Sequence, residues 1–581
     1  MKQTVLYTRR SRIFATILLL IVSIFVVRLF YLQVIQHGHY AALADQEQLK
    51  KERIPAMRGL IYAKSDGKPS LLVMNETVYT VFADPAIIKD KQEVVDVMKR
   101  VAGGNLRTDF EALLDKTDSR YQIIATKVTR LQADKIKEEG LSGVGFQAVS
   151  QRVYPEGSLA AQVLGFVNGE GEGLYGLEGY MDADLQGVDG RLETVTDVSD
   201  VPLTIGDRNV REPAQNGDNI VLTIDRNIQS YAEQALAAGL KRTGATNGSV
   251  LIMDPTSGEI MAMANLPTYN PAEYFKVTDV AQFNNNAISK PYEPGSDVKT
   301  LTMATGIDQG VVKPEDTFLN TDAIEIDGWT IGNATKGKTG IISFQTALTW
   351  SLNTGFVTVA QRLGDGKTIT RSARETMYQY FHDRFRLGQL TGIELANEAP
   401  GILYAPDHQE GNAIRYATMA FGQGLDATLV QVTAGFSAMI NGGSYYTPTI
   451  VDGYVVDNSY DPIDAPKPVE SGVVKESTSD SMRAMMETAR ASSFGYLDRQ
   501  GYKIGGKTGT SQVAREDGRG YKDDESIATY LGYGGTDMPE YVIMVSLSGE
   551  GRELQGARDA LPVFTDISNW IIDYLKIQPK G

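Results

Sequence analysis

Ser296-Asp297-Val298-Lys299 sets a hydroxyl and an amine three residues apart. Pro294 and Gly295 break the preceding chain, and residues 296–307 then read as a buried helix. On a helix starting at Ser296 the two side chains stand one turn apart on one face. A hydroxyl facing an amine is the minimum for a serine nucleophile with a lysine as its proton acceptor. The pair alone is weak, because S-x-x-K arises about once or twice by chance in a chain this long. It recurs at Ser65-Asp66-Gly67-Lys68, where Gly67 and Pro69 predict a turn. Two further motifs follow in order: Ser351-Leu352-Asn353, then Lys507-Thr508-Gly509 with Thr510. Each by itself reads as a helix cap or an ordinary strand end. The ordered trio within one domain is far more specific. Lys338-Thr339-Gly340 matches the third motif too, but it precedes Ser351 and is read as running into a helix. Only Lys507 follows strand-like sequence.

This ordered trio resembles the penicillin-recognising serine acyltransferases: the DD-transpeptidases, DD-carboxypeptidases and serine β-lactamases. The resemblance requires the third motif on an edge strand lining a cleft, which selects Lys507, and it implies a role for each residue. Ser296 attacks a carbonyl once Lys299 takes its proton. Lys299 can do so only when neutral, which asks for burial and a nearby cation such as Lys507. Ser351 relays a proton between Lys299 and the leaving amine, and the Asn353 amide holds a substrate peptide group. Thr508 and Thr510, with Lys507, suit the terminal carboxylate that D-Ala-D-Ala and β-lactams both present. Gly509 is expected to let the strand backbone approach the substrate. The backbone N–H groups of Ser296 and Thr510 form the oxyanion hole, where one donor is worth about 3 kcal/mol in the transition state. The lysine protonation states and the proton path stay open at this level. No metal or cofactor is called for. Asp297 departs from the family pattern, which carries a small or apolar residue there. A carboxylate suits a helix N-terminus, yet it is expected to slow acylation by anionic β-lactams or to raise the pKa of Lys299.

Composition removes other classes. A net charge of -16 argues against nucleic acid as a partner. There is no cysteine, and the 4 histidines stand at 37, 39, 382 and 408, so a zinc site would rest on carboxylates. A Ser-His-Asp triad would need His382 or His408, which lie in polar stretches without a nucleophile motif. Cysteine-free sequence fits an oxidising compartment in which disulfides are avoided.

The elements that must position these residues follow from patterning. Residues 13–27 are uncharged and mostly apolar, and 29–34 continue the run past Arg28, which suits a membrane-spanning anchor at 13–35. Lys2, Arg9, Arg10 and Arg12 precede it and no acid appears before Asp45, which leaves residues 1–12 in the cytoplasm and the rest outside. A cleaved signal peptide is the rival reading; Ala42-Leu43-Ala44 resembles a cleavage site but lies far beyond the apolar run. Residues 36–60 read as a helical stalk, opening a pedestal domain over 36–215 in which short strands (79–83) alternate with amphipathic helices (91–102). Gln215-Asn216-Gly217-Asp218 marks a boundary, and 216–581 form the catalytic domain. It opens with a strand at 220–224, a helix at 225–240 capped by Asp225, and a hairpin of 249–253 with 259–264. Strands at 502–504 running into Lys507-Thr508-Gly509-Thr510, at 526–533 and at 541–547 precede a closing helix over 561–577. Residues 271–500 read as mostly helix and loop, and 515–525 as a solvated loop. The expected fold is therefore α+β: one central antiparallel sheet assembled from both ends of the domain and flanked by helices.

The resemblance extends over essentially the whole chain. Arg58-Gly59-Leu60-Ile61, Arg152-Val153-Tyr154-Pro155, Gly173-Leu174-Tyr175-Gly176-Leu177-Glu178 and the Asp254-Pro255 hairpin look like class B, monofunctional penicillin-binding proteins. Residues 152–190 are most similar to the division-specific (septal) branch. This implies a membrane-anchored peptidoglycan DD-transpeptidase acting on stem peptides and inhibited by β-lactams. Its expected partners are a glycosyltransferase and division proteins. The alternatives are an elongation-type enzyme, a membrane-bound β-lactamase or carboxypeptidase, and a non-catalytic cell-wall scaffold.

Overall fold

The computed structural model describes residues 2–40, 49–195, 210–515 and 520–580. The chain divides into two compact units, Met1–Met57 with Gln186–Gly217, and Arg58–Leu185 with Asp218–Gly581.

In the first unit a helix spans Lys2–Phe30 and continues into a π-helical turn over Tyr31–Ile35. Within its stretch Arg9–Ile35 an 18-residue window has a mean hydropathy of 2.8, with none of that window buried. At 1.5 Å per residue that stretch is about 40 Å long, enough to cross a hydrocarbon core of about 30 Å. The residues of the cleavage-site reading, Ala42-Leu43-Ala44, lie outside the described residues. The helical stalk is corrected downstream of them. Leu49–Ile54 is a strand, paired antiparallel with Gly190–Val195, which pairs in turn with Val210–Glu212. Backbone partners some 140 residues away override the weak helical preference of a Lys/Glu-rich stretch.

The second unit holds two large sheets besides several two-stranded pairs. The first contains β1 (Ile61–Ser65), β2 (Lys68–Ala83), β3 (Gln122–Thr129), β4 (Val144–Val153) and β5 (Ile220–Asp225). Asp66 and Gly67 carry β1 into β2 with positive φ at both, so the second S-x-x-K is the expected turn. Helices α1 (Lys91–Val101) and α2 (Arg130–Glu138) bury Val94, Met98, Ala133 and Ile136 against Val81 and Ile124 of this sheet. β5 pairs in parallel with β1. Asp225 then caps α3 (Arg226–Thr243), accepting from the N–H groups of Asn227 and Ile228.

The second sheet is built from β6 (Asn247–Met253) and β7 (Ile260–Leu266) early in the chain. Its late strands are β8 (Lys503–Ala514), β9 (Tyr521–Gly535) and β10 (Pro539–Ser548), in the order β7-β6-β10-β9-β8, every pairing antiparallel. Side chains alternate across a strand. Val250, Ile252, Ile543 and Val545 therefore meet α3 and the C-terminal helix Leu561–Tyr574, while Leu251, Met253, Val542 and Met544 face the other core. Burial on both faces explains why these strands read as unbroken apolar runs. β8 pairs only with β9 and forms the sheet edge.

Between the two strand groups the chain is less purely helical than its composition suggests. Short antiparallel pairs form at Thr317–Asn320 with Gly340–Ser343 and at Ala323–Ile326 with Trp329–Gly332, and Val451–Val456 joins the first sheet beside β5. Lys338-Thr339-Gly340 thus leads into a short strand before the helix Phe344–Thr349. The loop reading of 515–525 also fails from Tyr521 onward, because β9 begins there. Its charges sit on the edge-strand ladder, where Arg515 pairs with Asp523 and Lys522 with Glu525.

Candidate active site

The proline-glycine break before Ser296 has a tertiary reason. Gly295 adopts a φ of +58, and a Cβ there would come 2.6 Å from Ser511 Oγ and 2.9 Å from the Thr510 carbonyl oxygen. Only glycine lets the chain turn this close under β8. The element that follows is a 3-10 turn, Gly295–Val298, which runs into the α-helix Lys299–Asp308. Ser296 therefore lies in a tighter turn than a helix running from Ser296 would give. The pair still meets, with Lys299 Nζ 2.9 Å from Ser296 Oγ. The helix is buried on all sides. Thr300, Thr302 and Thr305 satisfy their hydroxyls on backbone carbonyls, Thr302 reaching across to Ala420.

Ser351 sits between Phe344–Thr349 and the helix Asn353–Arg362 with a φ of +54. A serine held there costs about 1–3 kcal/mol. The strained backbone turns both of its oxygens onto Lys299, whose Nζ lies 2.8 Å from Ser351 O and 3.0 Å from Ser351 Oγ. The same Oγ is 3.1 Å from Ser296 Oγ and 2.9 Å from Lys507 Nζ. One hydroxyl thus bridges the nucleophile candidate and both amines. Lys507 Nζ also donates to the Thr508 carbonyl at 2.9 Å. Lys299 and Lys507 are 1% and 4% exposed. Burial drives both pKa values below the ordinary lysine value. Lys299 is pushed furthest, by its near-complete burial first and then by the Lys507 cation beside it.

Ser296, Lys299 and Ser351 line a cleft of about 780 Å³ that also touches Asn353, Thr508, Thr510, Trp329, Trp350 and Phe421, while Lys507 lies behind it against Ser351. Asn353 donates from Nδ2 to the Gly332 carbonyl at 2.9 Å. This ties the helix start to the Trp329–Gly332 strand. Thr510 Oγ1 accepts from the Gly556 N–H at 3.1 Å. Gly509 is brought to the strand but not for the reason its position suggested. A Cβ there would meet Thr529 Oγ1 at 2.0 Å and Asp297 Oδ2 at 2.7 Å, so its space is taken from below the sheet, away from the cleft. Asp297 likewise points inward, 0% exposed, and forms no part of the cleft wall. Lys338 stays out of the cluster and stacks its ammonium over Trp350, 4.5 Å from the ring centre. His382 pairs with Asp383 and His408 stacks on Tyr404. Neither histidine lines the cleft.

Sequence reasoning passed over the far wall of the cleft. Trp329, Thr330 and Ile331 lie on a hairpin whose turn, Asp327-Gly328, is a standard hairpin signal. Asn320 and Asn333, both buried, fasten this region to Thr354 at the start of the helix that carries Asn353. No spacing rule announces that contact. The N-terminal motifs also converge. Glu178 is fully buried and takes Arg58 on Oε2 and Arg152 on Oε1, both at 2.7 Å, while Arg58 also donates to Asp182 and Arg152 to the Gly59 carbonyl.

Comparisons with known proteins match this architecture. The penicillin-binding protein transpeptidase domain family matches residues 248–569, and the penicillin-binding protein dimerisation domain matches 53–222. The chain is similar to penicillin-binding protein PbpB of Mycobacterium tuberculosis, 30% identical and covering 97% of this chain and 84% of that one. It is also similar to peptidoglycan D,D-transpeptidase FtsI of Escherichia coli, 28% identical over 97% of this chain and 91% of that one. Among solved structures, penicillin binding protein 2X from Streptococcus thermophilus superposes with a TM-score of 0.73 at 21% identity, covering 91% of this chain and 80% of that chain. The chain belongs to the class B penicillin-binding proteins, with a transpeptidase domain behind a dimerisation domain.

Proposed function

We propose that Ser296 is the acylated serine of this transpeptidase, and that the reaction it carries is the cross-linking of peptidoglycan stem peptides in septal wall synthesis. The observation that carries this is the single hydroxyl of Ser351 in contact with Ser296, Lys299 and Lys507 at once. A neutral Lys299 has one lone pair to receive the Ser296 proton as Oγ bonds to the penultimate D-Ala carbonyl carbon. The oxyanion is received by the backbone N–H groups of Ser296 and Thr510. As the C–N bond breaks, the proton passes from Lys299 through Ser351 Oγ to the departing D-Ala amine. An amine from a second stem peptide then attacks the ester, returns a proton by the same route and frees Ser296. Lys507, Thr508 and Thr510 receive the terminal carboxylate, and Asn353 orients the peptide. β-Lactams present the same carboxylate and acyl carbonyl, so they acylate Ser296 and stay.

The same reading places residues 1–12 in the cytoplasm, 13–35 in the membrane, and the pedestal (36–215) and catalytic domain (216–581) outside. Its support is the basic N-terminal flank of a helix long and apolar enough to span. A partner glycosyltransferase supplies the glycan strands, and division proteins supply the location. Labelling the full-length protein with a fluorescent penicillin tests the nucleophile. Stable labelling lost in Ser296→Ala is expected; labelling that survives in the variant, or turns over within seconds in the parent, would overturn it.

A further inference from the structure

Asp297 has no part in the acylation steps above, yet it is the most enclosed charged group beside them. The turn Gly295–Val298 presses its side chain beneath β8 and β9. Oδ2 accepts from Thr529 Oγ1 at 2.6 Å, and Oδ1 has no hydrogen-bond partner. Thr529 faces Gly509 in the β8–β9 register, and the glycine leaves the carboxylate its room. A buried carboxylate with one hydrogen bond is costly unless a cation compensates it. Two amines are at hand. Neither Lys299 nor Lys507 touches a carboxylate; their contacts are the oxygens of Ser296, Ser351 and Thr508. The other ionisable groups around the cluster are occupied or neutral. Tyr292 is a buried phenol, Tyr530 accepts from Arg490, and Arg490 is paired with Asp498. The Glu293 carboxylate takes the Gly424 N–H and the Tyr521 hydroxyl.

We propose that Asp297 is a positioning residue that divides protons between the two lysines, holding Lys507 as the ammonium that receives the substrate carboxylate and leaving Lys299 as the amine that takes the Ser296 proton. With Asp297 ionised, one ammonium makes the buried cluster neutral and two leave it at +1. Without it, even one ammonium stands uncompensated. Burial lowers both lysines, and the Asp297 charge opposes that fall at each. Burial lowers Lys299 further than Lys507, and the mutual repulsion of two ammonium groups disfavours a second proton, so the retained proton settles on Lys507. Burial holds the carboxyl itself up at about 7, with Thr529 and both lysines pulling only part of the way back, so the charge is present from neutral pH upward.

The inference rests on the acyl-enzyme reading, and its test separates the two. Acylation by a chromogenic penicillin is followed by stopped flow from about pH 5 to pH 10, for the full-length protein and for Asp297→Asn. The alkaline limb reports loss of the Lys507 proton; the acid limb reports protonation of Lys299, joined in the parent by the Asp297 carboxyl at about 7. Removing the charge lowers both lysine pKa values, so both limbs are expected to move to lower pH, by about one unit or more. Thr529→Val keeps the carboxylate but removes the bond that favours its ionised form. It should move both limbs the same way by less, and it carries the test if Asp297→Asn does not fold. A fall in rate at every pH with unmoved limbs would show a purely structural role and overturn the proposal, as would limbs that separate or rise. Acylation persisting in Ser296→Ala would instead sink the acyl-enzyme reading, whatever the limbs do.

Discussion

Two buried charge clusters in the same unit handle charge in opposite ways. Around Glu178 the carboxylate has a guanidinium on each oxygen, and both arginines spend further donors on Asp182, Gly59 and Asn75. Around Ser296 two amines crowd one hydroxyl, the nearest carboxylate keeps an oxygen without a partner, and Ser351 holds a left-handed φ. The first is a lock, in which each charged group faces an opposite charge, with only Arg152 Nη2 left without a hydrogen-bond partner. The second is a poised site, in which incomplete compensation makes an amine basic enough to act and neutral enough to accept. The lesson is that burial of charge says little until its partners are counted.

Lys299→Met gives the largest contrast. Losing the base should cut penicillin acylation by about 10²–10⁴-fold. Stability should move the other way. Lys299 has a folded pKa below its unfolded one, so the unfolded chain binds a proton that the fold excludes, and stability rises with pH toward the ordinary lysine value. Removing that group should therefore stabilise the fold at neutral pH by about 1 kcal/mol, with the gain shrinking above pH 10, as read by urea midpoints across pH. Glu178→Ala should do the reverse. Stranding two buried arginines is expected to destabilise by about 3–5 kcal/mol, while the acylation rate per folded molecule stays as in the parent. If both variants lost activity and stability together, the distinction between lock and poised site would be wrong.

Smaller effects sharpen it. Asn353→Ala removes the amide proposed to orient the peptide and the bond to Gly332, and should lower kcat/KM for a peptide donor about tenfold, leaving the Tm within a few degrees. Trp329→Ala should be the mildest. Its ring is 67% exposed on the cleft wall, so stability should change by less than about 0.5 kcal/mol, with any loss confined to donor affinity measured by fluorescence titration.

Much of the catalytic unit was legible because its signals are local. The Asp225 cap, the hairpin through residues 254–258 and the apolar runs of β6, β9 and β10 each follow from a short-range rule. The order of three motifs was enough to nominate Ser296, Lys299, Ser351, Asn353 and Lys507. The failures were long-range. Leu49–Ile54 carries a helix-like composition and became a strand through a distant partner, and the charged stretch after Tyr521 extended β9 instead of looping.

Residue types and spacing alone determined the kind of chemistry: a hydroxyl and amine one turn apart, a second hydroxyl, and a basic edge strand. Tertiary packing decided which way Asp297 and Gly509 point, that one serine hydroxyl bridges two buried amines, and that three N-terminal motifs meet at Glu178. The physical reason is range. Caps, turns and apolar periodicity act within a few residues, whereas burial and charge compensation depend on groups far apart in the chain, 55 positions for Ser351 and Ser296 and 232 for Thr529 and Asp297.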